Sequence, residues 1–120
     1  MKNPSVVPES IQNSVVILRC RGVELTAADR QELHRSEMAF GHVFHRIHRI
    51  EWKFIGRPRE VELRCEIQAL SGKFTAVAIE ENGRAALQSV TQKILKQKRR
   101  AKTISVTRRR AAPAHRGRAA

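Results

Sequence analysis

Hydrophobic positions along the chain switch between a period of two and a period near 3.6, and each switch marks an element. From Ser14 to Cys20 the run Val15-Val16-Ile17-Leu18 is β-branched and apolar, which predicts a strand with Val16, Leu18 and Cys20 on one face and Arg19 and Arg21 on the other. Thr26, followed three residues later by Asp29, reads as a capping box that opens a helix. Leu33, Phe40, Phe44 and Ile47 then recur at spacings of seven, four and three, one apolar stripe that predicts a helix to about His48. Gly41 weakens it by roughly 1 kcal/mol relative to Ala. Ile50, Trp52 and Phe54 alternate with Glu51 and Lys53. After the break Gly56-Arg57-Pro58 a second alternating run follows, Val61, Leu63, Cys65, Ile67 and Ala69. The turn Ser71-Gly72 leads to Phe74, Ala76 and Ala78, a third strand of one meander, and its two small alanines leave room for a helix to pack close. Asn82 is the expected N-cap of a last helix whose apolar stripe is Ala86, Leu87, Val90 and Ile94 and which should end near Lys102. Thr103 to Thr107 has the composition of a short strand.

The element order is therefore β-α-β-β-β-α, an α+β domain with a four-stranded sheet and both helices packed on one face. With 120 residues there is room for one core, expected over residues 14–102. Residues 1–13 lack a sustained period and read as a disordered leader. Residues 103–120, rich in Arg, Ala and Pro, read as a basic tail that is disordered when free. The longest apolar run, Val15 to Leu18, is too short to cross a membrane, and Pro4, Pro8 and Glu9 interrupt the stretch a signal peptide would need. A cytoplasmic protein is expected. Cys20 and Cys65 stand in strand-like apolar segments without neighbours at metal-ligand spacing, so both are expected to be buried free thiols.

Charge changes the picture more than composition does. The formal net charge is +13, yet residues 1–81 carry twelve Lys and Arg against all eleven acids. The remaining 39 residues carry the other twelve cations and no acid. A block of this kind concentrates a polyanion and binds it by releasing condensed counterions, which makes nucleic acid the first partner to consider. An anionic membrane surface fits less well, because the block lacks an apolar aromatic face.

Gly22-Val23-Glu24-Leu25-Thr26 at the strand-to-helix junction, Phe44-His45-Arg46-Ile47 closing the first helix, and Ala85-Ala86-Leu87 with Lys93-Ile94 in the second together resemble the ribosome hibernation-promoting factor family, also described as ribosome-associated translation inhibitors. The resemblance spans about Val16 to Lys102 and is to the short type, without a second dimer-forming domain. It implies a β-α-β-β-β-α fold related in shape to double-stranded-RNA-binding domains. It also implies binding to ribosomal RNA in the small-subunit channel for messenger and transfer RNA, with translation blocked by occlusion in stationary phase or stress, and no enzymatic activity or cofactor. Lys93, Lys96, Arg100 and Lys102 match basic positions of the family's second helix, and Lys98 and Arg99 broaden that patch. Where the family has lysines on the first helix this chain has Ser36 and Ala39; Arg84 replaces an aromatic, Gln88 an Asp, and Arg35, Arg46 and Arg49 are the compensating candidates. The free protein is expected to be monomeric.

Other chemistry has less behind it. His34, His42, His45 and His48 include helical spacings that zinc sites use, but no Cys or acid completes a ligand set, so no metal is expected. No phosphate loop, nucleophile elbow or zinc-protease motif is present. Glu60, Glu62 and Glu66 alternate on one strand face and read as solvated or paired with Arg64, and Trp52 reads as core. The rival function is a general RNA- or DNA-binding regulatory protein acting mainly through its Arg-rich tail; a protein–protein adaptor is a third.

Overall fold

The computed structural model describes residues 14–119, with side chains to Ala101. Its elements run β1 (Val15–Arg21), α1 (Ala27–Val43), β2 (Ile47–Arg57), β3 (Glu60–Ala69), β4 (Gly72–Glu80) and α2 (Gly83–Ala119), the β-α-β-β-β-α order that the hydrophobic periods predict. The sheet order is β1-β2-β3-β4. Since β2, β3 and β4 form an antiparallel meander while β1 lies parallel to β2, the sheet is mixed and α1 is the crossover that a parallel pair requires.

Local chemistry sets the boundaries. The Thr26 hydroxyl accepts from the Asp29 amide at 3.1 Å while the Asp29 carboxylate accepts from the Thr26 amide at 3.0 Å, a reciprocal cap on α1. Asn82 caps α2 as expected, its side chain accepting from the Ala85 amide at 2.8 Å. Pro58 and Arg59 form the β2–β3 turn, and Arg59 takes a positive φ of 69°. At the end of β1, Gly22 comes so near Gly56 of β2 that any side chain at Gly56 would strike the Gly22 carbonyl.

One continuous core lies between the sheet and the helices. Ile50, Trp52 and Phe54 of β2, Leu63, Cys65 and Ile67 of β3, and Phe74, Ala76 and Ala78 of β4 meet Leu33 and Phe40 of α1 and Ala86, Leu87, Val90 and Ile94 of α2. Trp52 is fully buried, stacked on Phe40 with ring centroids 5.8 Å apart, and its indole donates to Glu37 at 3.2 Å. Between the helices the Thr91 hydroxyl donates to Ser36 at 2.7 Å, so both buried hydroxyls are satisfied.

Three expectations are corrected. The first helix ends at Val43 with Phe44 as its C-cap, rather than near His48, and Ile47 already belongs to β2. A register shift between Ile47 and Arg49 inserts a residue into β2, so Ile47 and Ile50 both face the core at a spacing that imitates a helix. Cys20 is exposed, because β1 is an edge strand that neither helix covers; Cys65 is buried as expected. The second helix continues past Lys102 to Ala119 and takes in Thr103 to Thr107, where a strand was the alternative. Arg and Ala favour helix there by propensity, against the β-branched Thr103, Ile104, Val106 and Thr107 and against Pro113 and Gly117. The leader over residues 1–13 lies outside the described residues, as do the side chains of the tail.

Candidate nucleic-acid interface

At 3.6 residues per turn, the side of α2 opposite its buried stripe carries Ser89, Gln92, Lys96, Arg99 and Arg100. Ser89, Gln92, Lys93, Lys96 and Arg99 line a shallow concavity there. Lys96, Arg99 and Arg100 stand together at its C-terminal end, all three exposed. This is an open cationic ridge that suits phosphates and offers no enclosure for a small molecule.

The remaining expected contacts divide. Lys93 sits at the margin of the ridge and its ammonium donates to the Val77 carbonyl at 2.7 Å; one turn on, the Gln97 amide donates to the Thr75 carbonyl at 2.6 Å. The Lys98 ammonium turns inward instead, 5.6 Å from the Phe44 ring centroid and 3.3 Å from the Ser71 hydroxyl, so it closes the end of the core beside the β3–β4 turn. Arg35 is exposed on α1 in the same helical layer, and Arg46 is exposed in the connection from α1 to β2. Arg49 lies across the sheet from the helices, where it pairs with Glu51 at 2.9 Å while its Nε is buried without a partner. The side chain of Lys102 lies outside the described residues. The structure thus gathers Lys96, Arg99 and Arg100, with Lys93 at their edge.

Ser36, Arg84 and Gln88 have partners on the facing helix. Ser36 is buried against Thr91, so a lysine there would face α2 and not solvent. Arg84 and Gln88 both reach Glu32 of α1, at 3.4 Å each, and help fix the angle between the helices.

Among the described residues, Glu62, Glu37 and Cys65 have shifted titration. Glu62 of β3 is almost fully covered and bound by Arg64 at 2.7 Å and by Arg57, and the Arg64 hydrogen bond holds its carboxylate below the ordinary range. Burial pushes Glu37 up, opposed by the Trp52 hydrogen bond and the charge of His34. Burial also pushes up the Cys65 thiol, helped by Glu37 and Glu66, which keeps it protonated and unreactive. Among the described residues no three His, Cys, Asp or Glu side chains form a metal site. No described helix is long and apolar enough to cross a membrane.

No family model matches the sequence, and no curated protein matches it. Solved structures do match by shape. A ribosomal subunit interface protein from Coxiella burnetii superposes with a TM-score of 0.61 at 14% identity, over 73% of this chain and 97% of that one. The N-terminal domain of Thermus thermophilus Protein Y superposes with a TM-score of 0.63 at 12% identity, over 72% of this chain and 97% of that one. The β-α-β-β-β-α fold is therefore shared with both.

Proposed function

We propose that this chain is a ribosome-associated translation inhibitor of the hibernation type, which occupies the messenger and transfer RNA channel of the small subunit and blocks translation by occlusion. The observation that carries this reading is the exposed ridge Lys96, Arg99 and Arg100 on the outer side of α2, an ordered cationic surface on a fold shared with a ribosomal subunit interface protein. Ordered charges bind more tightly than an equal number on a mobile chain, because their positions are already fixed before association. In this reading residues 14–102 are the ribosome-binding domain of a cytoplasmic monomer, and residues 103–120 add a basic extension. Arg35, Arg46 and Lys102 are further candidate contacts.

The test is competitive binding of the full chain to purified small subunits, with unstructured RNA of equal total charge as competitor, alongside translation in a cell-free extract. Selective retention on small subunits together with inhibition of translation is expected. Equal affinity for both RNAs would overturn the reading. Deletion of residues 103–120 separates it from the rival in which the Arg-rich tail does the binding: the shortened chain is expected to keep its small-subunit preference.

A further inference from the structure

We propose that the open face of the sheet, across from the helices, carries a second phosphate-backbone contact centred on the row Arg19, Lys53 and Arg64. The strand register places these three residues directly side by side, Arg19 opposite Lys53 and Lys53 opposite Arg64, on β1, β2 and β3. They alternate with core residues such as Trp52, Phe54, Leu63 and Cys65, so the pleat directs them away from the helices. All three are exposed.

Neighbouring strands lie about 4.8 Å apart, and like charges directly opposite one another destabilise a sheet. Among the acids on the same face, Glu62 pairs with Arg64, and none makes an ion pair with Arg19 or Lys53 among the described residues. Glu51 is held by Arg49 at 2.9 Å, Glu66 by Lys73 at 2.7 Å, and Glu62 by Arg57 and Arg64. Arg19 and Lys53 have no ion-pair partner among the described residues. A bound anion would supply the missing countercharge.

The shape favours a polymer over a small anion. The depression beside Lys53 and Arg64 is shallow and open, lined also by Glu51, Glu66, Thr75 and Val77. No aromatic side chain stands in the row to stack on a base, which points to backbone contact without sequence reading. Because the row and the α2 ridge lie on opposite sides of the domain, the two contacts are independent, and neither needs a ribosome to form.

The experiment measures binding of the full chain to an RNA duplex of about 20 base pairs across a salt series, where each lost phosphate contact lowers the slope of log affinity against log salt by about one. Arg19→Gln with Lys53→Gln is expected to lower the slope by about two without lowering the melting temperature, since it relieves repulsion. Lys96→Gln with Arg100→Gln is expected to lower it by a similar amount, and the four changes together by the sum. An unchanged slope in the sheet variant overturns the proposal. Should the double variant melt early, Lys53→Gln alone reads the same effect at half size, and an unchanged slope there overturns it equally. A chain that shows no small-subunit preference but keeps both slope effects would defeat the hibernation reading and leave this one standing.

Discussion

The two edges of this sheet are treated in opposite ways. Along β4, the carbonyls of Thr75 and Val77, which have no neighbouring strand to pair with, accept hydrogen bonds from Gln97 and Lys93 on the margin of α2. Along β1 nothing comparable happens: Val15 is 57% exposed, Val16 44%, and Leu18 and Cys20 are also exposed. An open strand edge templates pairing with other chains, and lysine at an edge is one of the ways proteins prevent it. The contrast shows that a cation on α2 can serve the sheet as well as a ligand. Lys93 and Lys96, three residues apart, have different acceptors, a backbone carbonyl for one and solvent for the other.

The largest expected effect comes from the place where β1 is anchored. Gly56→Ala drives a methyl group into the Gly22 carbonyl and must push β1 away, so a loss of about 3 kcal/mol in urea unfolding is expected. A loss below about 1 kcal/mol would mean that β1 contributes little. Next in size is Lys93→Met, which leaves the Val77 carbonyl to water and should cost about 1 kcal/mol. By contrast Lys96→Met should stay within about 0.5 kcal/mol of the parent in the same unfolding assay while weakening RNA binding. If the two variants were to trade these phenotypes, the division of labour along α2 would be wrong. Val16→Lys, on the bare edge, should leave stability within about 0.5 kcal/mol and reduce self-association in light scattering at high concentration.

The smallest effect lies where the helical cover ends, at Glu37 beside Trp52. Its folded-state pKa is raised above the ordinary 4.5, so the folded protein holds that proton more firmly than the unfolded chain. Stability should fall as pH rises from 4.5 through the raised value. Glu37→Gln, which keeps an acceptor for the indole, should remove this fall. Glu62 works in the other direction. Its lowered pKa means that its contribution is present above the ordinary 4.5 and is lost as pH falls through the folded value. Glu62→Gln should therefore flatten the acid limb of a pH–stability profile, measured by thermal melting.

Legibility in the sequence tracked the distance over which a feature is decided. Both caps were readable, because Thr26 and Asp29 bond within one turn, as do Asn82 and Ala85. The alternation of Ile50, Trp52 and Phe54 gave the core face of β2, but the inserted residue before Arg49 disguised Ile47 as helical. Exposure of Cys20 depends on β1 being outermost, which only the parallel pairing with β2 decides. At the candidate interface, helical spacing and the family resemblance suggested Lys93, Lys96 and Arg100, with Lys98 and Arg99 broadening the patch. The inward turn of Lys98 toward Phe44 and the capture of Lys93 by β4 follow from contacts with residues far away in sequence. The row Arg19, Lys53 and Arg64 needs the register of three strands at once and left no local signal.

The parallel pairing of β1 with β2 also orders assembly in time. Hairpins from β2 to β4 can close as soon as their short turns are made, whereas Val15 must wait for Arg49, with all of α1 intervening. β1, although it precedes the meander in the chain, is thus expected to dock late, and its amides should exchange with deuterium ahead of those in the meander.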